Sequence, residues 1–456
     1  MFTNRTRLLL HNPIQYNYGV AVADVDGDGE FELIVAGFGF ANLVLKWNGS
    51  ALVNVADAAL ADSERQAIGI AACDIDADGQ EELYILNSDT FAGQKRFADR
   101  LFDCADGEWT DLFSLPIHRR ILNLTSGRSV AAVDRLGNGR YGFFVANYGG
   151  PMRLYELDDD GHLRDVAPEA HLNHVTGGRS VLPVPLMSDA LDIFVGNENG
   201  PNYLYRNNGD GTFMNMADTL KLSDNAENAR GAAVLDANQD GLLDIVCGNW
   251  EGPHRLFVQL FDGTFQDMAP PEMAAPSRVR TVIAADFDND GFDEIFFNNL
   301  GQPNRLFGWR DHEWVPIPMG DAMEPFGLGT GAACGDFDHD GRLELLISHG
   351  EAGMQPLTYY HTPDNGHHWL RVLPLTRYGA PARGTMVTLK AGGRTRQRVI
   401  DAGSGYLCQM EPVAHFGLGE DTEIEWVEIR WLDGEIIHID HPQPDQLLKI
   451  SHPSSE

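Results

Sequence analysis

The chain has 456 residues, 22% of them charged, with a formal net charge of −34. That length permits a large buried core, and the acidity argues against sequence-independent binding to nucleic acid, whose phosphates would repel it. Five cysteines, odd in number and far apart (Cys73, Cys104, Cys247, Cys334 and Cys408), read as small buried thiols and not as a disulfide framework or a zinc site.

The chain opens with MFTNRT, which reads as a strand lacking the three that should precede it. The apolar run that follows, residues 8–10, is far too short for a signal-peptide core, and no stretch approaches membrane-spanning length. The expectation is a cytoplasmic protein without membrane contact. A unit of about fifty residues then repeats seven times. Its landmark is an acidic cassette, D-x-[DN]-x-D-G-x-x-[DE], beginning at Asp24, Asp74, Asp236, Asp286 and Asp336, with degenerate equivalents near Asp134 and Val184. Oxygen side chains at alternate positions, a glycine for the sharp turn and a closing carboxylate make a chelating loop for a hard divalent cation, above all calcium. The expected ligands are Asp24, Asp26, Asp28 and Glu32; Asp74, Asp76, Asp78 and Glu82; Asp236, Asn238, Asp240 and Asp244; Asp286, Asp288, Asp290 and Glu294; Asp336, Asp338, Asp340 and Glu344. They would hold about five structural calcium ions, with no organic cofactor.

A small-apolar run precedes each cassette and a denser one follows, such as ELIVAG at Glu32 and DIVCGN at Asp244. Two such runs joined by a glycine-containing turn read as a β-hairpin buried on both faces. A third strand follows, as in RLYEL at Arg153 and YLYRN at Tyr203, then a short polar-edged fourth, as in TFMNMA at Thr212. The prediction is all-β: a seven-bladed β-propeller over residues 1–364, its N-terminal strand completing the seventh blade so that no edge stays open. From residue 365 the pattern changes to alternating strands with glycine turns, which predict a small β-sandwich-like domain over residues 365–456 ending in a frayed tail.

Counted from the first aspartate of each cassette as zero, arginine stands at minus six in Arg128, Arg230 and Arg280, and in Arg179 if that repeat has lost one residue. Asparagine stands at plus thirteen, as in Asn147, Asn197 and Asn249. A turn centred near plus four makes these positions neighbours at the hairpin end opposite the metal, and closing the ring gathers them round one axis. Arg128, Arg179, Arg230, Arg280, Asn147, Asn197, Asn249 and Trp250 are thus expected to line a pocket for an anionic or polyoxygenated small molecule. Glu198, Glu251 and His349, close to that end, are the candidate proton-transfer groups. The plain alternative is that the arginines strut the blades and the asparagines close their strands by bonding to backbone. Tyr406 and His415 read as packing residues. No phosphate loop, H-E-x-x-H, C-x-x-C or nucleophile elbow occurs in the chain.

The cassettes resemble the FG-GAP or VCBS repeats of integrin-α-type propellers, which implies calcium in the first hairpin of a blade. Gly403, Ser404, Gly405, Tyr406, Leu407 and Gln409, the HFGLG string at residues 415–419, and Trp431, Asp433 and Gly434 resemble the ASPIC/UnbV domain. Together the two parts are similar to the cartilage acidic protein 1 family. Cys408 stands where that family more often has serine, and YGAPARGTMVTL replaces its usual G-A-R-V run. The resemblance implies secreted calcium-binding matrix or neural proteins among animal members. Among bacterial members it implies roles in natural-product biosynthesis, some linked to intramolecular carbon–carbon cyclisation. The expectation taken here is a cofactor-independent cyclase- or isomerase-like enzyme of secondary metabolism. The alternative is a calcium-dependent module that recognises a protein or glycan.

Overall fold

The computed structural model describes residues 1–105 and 107–455. Runs such as Glu32–Gly37 and Glu294–Asn299 are buried at every residue. Strands apolar on both faces must lie between two layers, and stacking blades round an axis provides those layers. The first blade consists of Asn17–Ala23, Glu32–Gly37, Leu43–Trp47 and Leu52–Asn54, in chain order from the axis outward. Six more sheets repeat this order, and the third and fourth are joined where Gly142–Pro151 pairs with Val175–Val184. The inner strand Asn17–Ala23 packs on Ala67–Cys73 on one side and on Gly329–Gly335 on the other, so the ring closes. Among the described residues the two α-helices, Ala58–Ala61 and Pro271–Ala274, are single turns, and no helix is long and apolar enough to cross a membrane.

The last blade takes its outer strand from the other end of the chain. Thr3–Asn4 pairs antiparallel with Thr358–His361. Phe2, 3% exposed, stands edge-on to Phe287 at 5.0 Å and to Phe296 and Tyr360 at 6.5 Å.

The C-terminal part has a four-stranded sheet (Arg394–Val399, Met386–Ala391, Ile424–Arg430, Ile436–Asp440) and a three-stranded one (Ala414–Gly419, His368–Pro374, Leu447–Ile450) around a core that includes Leu370, Val387, Phe416 and Val427. Within the expected tail one residue is held in place, while Ser451 and residues 453–455 are exposed. His452 is buried, bonds Asp433 at 3.0 Å and packs edge-on to Trp431. This part lies over the cassette face of the propeller. Arg371 donates to Asp336 at 3.0 Å, the Gly417 N–H to Asp286 at 3.0 Å, and Arg383 reaches both oxygens of Glu81 at 2.5 and 3.1 Å.

From that face one segment, spanning Ala402 to Gln409, enters the propeller axis as a plug. The Ala132 N–H donates to the Ala402 carbonyl, Ala232 and Gly405 exchange backbone bonds of 2.8 and 3.0 Å, and Gln409 bonds the backbone of Val20 and Val22. The Gln409 side chain accepts from the Ala72 N–H at 2.7 Å and donates to the Ala72 carbonyl at 3.0 Å. The approach leaves no space: a Cβ on Gly19 would lie 2.0 Å from the Leu407 carbonyl oxygen. Small inner-strand residues therefore admit the plug where larger ones would exclude it.

Candidate functional site

The inner hairpins are regular from the cassette upward until each slips by one residue near the opposite end. In the third blade Gly127 faces Asn147 and Ser129 faces Ala146, leaving Arg128 as an extra residue. In the fourth, Gly178 faces Asn197 and Ser180 faces Gly196, which singles out Arg179. The fifth and sixth blades slip between Ala229 and Ala232 and between Val279 and Val282, next to Arg230 and Arg280. The expected arginine–asparagine pairing is thus corrected by one place, and the arginine sits in a bulge beside the pair. A β-bulge bends its strand and re-aims the side chain it carries, here toward the axis. The equivalent bulges of the first, second and seventh blades hold Tyr18, Ile68 and Thr330.

Arg128, Arg179, Arg230 and Arg280 line one cavity of about 290 Å³ with Tyr18, Ile68, Phe91, Glu351 and Tyr406. Glu198 accepts from Arg179 Nε at 2.7 Å and from Arg230 Nη2 at 3.1 Å, while Glu351 accepts from Arg280 Nη2 at 2.6 Å. Arg128 donates to the Phe91 carbonyl. Trp250 forms a platform 4.0 Å from the Arg280 guanidinium and 5.6 Å from that of Arg230, and Tyr148 lies 4.6 Å from Arg179. Glu198 and Glu351 thus pair with three of the four guanidiniums, and Asp89, which also lines the cavity, pairs with Arg96 at 3.0 Å. The Nε groups of Arg128, Arg230 and Arg280 are buried without a hydrogen-bond partner among the described residues. A local positive excess with unspent donors on an acidic protein suits an anion.

Tyr406, at the tip of the plug, forms the floor. Burial works to raise its phenol, but the guanidiniums, Arg179 foremost, outweigh it and hold Tyr406 below its ordinary value. The sequence reading gave Tyr406 only a packing role. Its local signal, a tyrosine among glycines, is that of a surface turn, and only the insertion into the axis brings it to the arginines.

The other expected residues are placed differently. Glu198 is a counter-ion: burial would raise its carboxyl, but Arg179 and Arg230 hold it below the ordinary range, so it is a poor proton acceptor. Glu251 pairs with Arg278 at 2.8 Å and does not line the cavity. His349 has both ring nitrogens engaged, with the Pro356 carbonyl at 2.8 Å and Glu324 at 2.9 Å. Asn147, Asn197 and Asn249 donate to the carbonyls of Pro151, Pro201 and Pro253 at 2.6, 2.6 and 2.7 Å, so their amides close their own loops instead of facing a ligand.

On the opposite face, each intact cassette ties its closing carboxylate to the backbone N–H just after its first aspartate: Val25 at 2.8 Å, Ile75 at 2.6 Å, Ala237 at 2.8 Å, Phe287 at 3.0 Å and Phe337 at 2.8 Å. That fixes one oxygen and turns the other inward. Glu82 Oε1, Glu344 Oε1 and Asp336 Oδ1 are buried without a hydrogen bond among the described residues. Burial, with nearby carboxylates adding to it, drives Glu32, Asp74 and Asp244 up to about 7 and Asp236 to about 6. Converging oxygen donors that protein groups leave unsatisfied fit a hard dication, which would reverse those shifts.

Comparison with known proteins agrees with both halves of this architecture. A family profile described as ASPIC and UnbV matches residues 376–456, and one described as FG-GAP-like repeat matches residues 189–247, 236–297 and 286–347. The chain is 46% identical to cartilage acidic protein 1 of Homo sapiens over 504 aligned positions, covering 100% of this chain and 76% of that one. Identity to the Xenopus tropicalis protein of the same name is also 46%, covering 77% of its length. Among solved structures, a lectin from Burkholderia pseudomallei matches with a TM-score of 0.51 at 12% identity, covering 77% of this chain and 99% of the lectin, a likeness of fold alone.

Proposed function

The chain belongs to the cartilage acidic protein 1 family, and we propose that it is a calcium-binding propeller whose axial cavity holds a small anionic or polyoxygenated molecule. The observation that carries this reading is the convergence of four bulge arginines and Tyr406 on one cavity, where Glu198 and Glu351 pair with three of the guanidiniums and the remaining lining carboxylate, Asp89, is paired with Arg96. Guanidiniums bind carboxylate, enolate or phosphate oxygens through paired N–H groups, which gives orientation as well as attraction. Calcium at the cassettes would be structural, because those loops lie at the far end of the hairpins. It would supply positive charge to carboxylates that otherwise repel one another.

Catalysis is a further step of the same reading, and Tyr406 supports it. The phenolate of a tyrosine held below its ordinary value beside guanidiniums can take a proton from a carbon next to a carbonyl, while an arginine holds the enolate oxygen that forms. That carbon would then attack a second carbonyl of the same molecule, whose oxygen takes the electron pair and the proton back from Tyr406, so ring closure balances with no organic cofactor. This assigns the proton transfer to Tyr406 in place of Glu198, Glu251 and His349.

Calorimetric titration with citrate, as a probe polyanion, tests the binding. Saturable binding should be weakened in Arg230→Ala with calcium content and fold unchanged. Equal binding by that variant, or a loss of stability without a change in binding, would reduce the arginines to struts.

A further inference from the structure

We propose that the five cassettes are unequal metal sites: the second-blade loop, extended by Asp103, takes a divalent cation most tightly, and the first-blade loop takes none because the Lys46 ammonium stands in the ion's place. The inference rests on reading the cassettes as calcium loops.

In each blade the third strand passes beside the closing carboxylate. The pairs Leu33↔Leu45, Leu83↔Phe102 and Leu345↔Tyr360 each lie one step from it. The next step sets Lys46 against Glu32, Asp103 against Glu82 and His361 against Glu344. One position of the fold therefore carries a cation, an acid or a histidine in these three blades, while the same step sets Val258 against Asp244 and Gly308 against Glu294 in the fifth and sixth.

In the first blade Lys46 Nζ lies 2.6 Å from Asp26, 2.7 Å from Asp28 and 2.9 Å from Glu32. Three carboxylates meet the three hydrogens of one ammonium. A calcium ion would need those same oxygens at roughly 2.3–2.6 Å, so ion and ammonium compete for one place. The sixth blade has a looser version, with Arg310 at 3.0 Å from Asp290, 3.3 Å from Asp288 and 3.5 Å from Glu294. In the fifth, the second oxygen of Asp244 accepts the Gln259 N–H at 2.8 Å.

The second blade has none of these. Glu82 is 1% exposed and its Oε1 has no partner among the described residues. Asp76, Glu82 and Asp103 bring oxygens within 4.8 Å of one another, and Asp74 and Asp78 stand beside them. Like charges opposite each other on paired strands destabilise a sheet, and a buried unpaired carboxylate adds to that cost. A bridging dication removes both penalties, with Asp103 as a ligand contributed from outside the loop.

Native mass spectrometry of the full chain, titrated with calcium from a chelated state, tests this. Wild type should bind one ion fewer than there are cassettes. Asp103→Asn should weaken the tightest step by roughly 10–100-fold. Lys46→Met should bind one ion more than wild type and melt lower than wild type only when calcium is withheld. Five ions on wild type, with both variants titrating like it, would overturn the inference while leaving calcium in the loops. No ion on any of the three would instead overturn the calcium reading itself.

Discussion

A buried phenol surrounded by guanidiniums ionises early, because each positive charge favours the phenolate and the low dielectric magnifies the effect. Tyr406 is held below its ordinary 10.0, whereas burial drives Tyr84, Tyr141 and Tyr155 well above theirs. Ultraviolet titration should therefore show one tyrosine ionising ahead of the rest. That step should vanish in Tyr406→Phe and move upward in Arg230→Ala; an unmoved step in Arg230→Ala would mean that the arginines do not govern the phenol. The sign for stability follows from linkage. A depressed folded value adds stability at pH above 10, and that stability is lost as pH falls through the lowered folded value. Gly19 is the second residue with a sharp expectation. Its absent Cβ would strike the Leu407 carbonyl oxygen at 2.0 Å and the Ile68 oxygen at 2.9 Å, and both are backbone atoms. Gly19→Val should cost about 1–3 kcal/mol by overpacking. It should also push the plug outward, so that Tyr406 titrates like an ordinary tyrosine. A variant with wild-type melting and titration would show the axis to be roomier than described.

Among the elements, the strand Thr3–Asn4 is the shortest, yet it covers the outer edge of the last blade, and Phe2 anchors it. Phe2→Ala should destabilise by about 3–5 kcal/mol, as for other buried aromatic truncations. Deleting residues 1–7 should do the same and promote aggregation through the exposed edge. An unchanged melting curve after that deletion would make the strand dispensable. Local chemistry explains why the hairpins could be read from sequence: ELIVAG and its relatives hold an unbroken apolar run behind the closing carboxylate, and D-x-D-x-D-G permits little other than a turn. The spacing also showed that four arginines recur at one height. It did not show the bulge, because an extra residue in GRSVAAV leaves the apolar pattern of the run unbroken. For Asn147 the plain alternative, an amide closing its own strand end on backbone, is the one the structure shows, with the Pro151 carbonyl of the loop just beyond it as partner. The plug was the least legible. Glycines and a serine mark turns in any chain, and Gln409 acquires its place through Val20, Val22 and Ala72, the last of them 337 residues away.

For the molecule as a whole, the cassette face is also the surface on which the C-terminal part rests, through Arg371 on Asp336 and Gly417 on Asp286. Chelation should accordingly lower the melting temperature. Each lost ion would remove about 2.7 kcal/mol if it had been present at a hundredfold excess over its Kd. An identical melt with and without chelator would count against calcium as a structural ion. Should the plug loosen with the face, the early-ionising tyrosine would disappear on chelation as well. The two fastenings of the ring also set a timetable for synthesis. Thr3 waits for His361, and the axis stays open until residues 402–409 have been made. A ribosome adding roughly 5–20 residues per second holds the first strand without its partner until every blade between them has been made. The nascent chain therefore carries an unsealed row of blades until its final stretch emerges, and a ribosome that stops early releases a product with neither fastening in place.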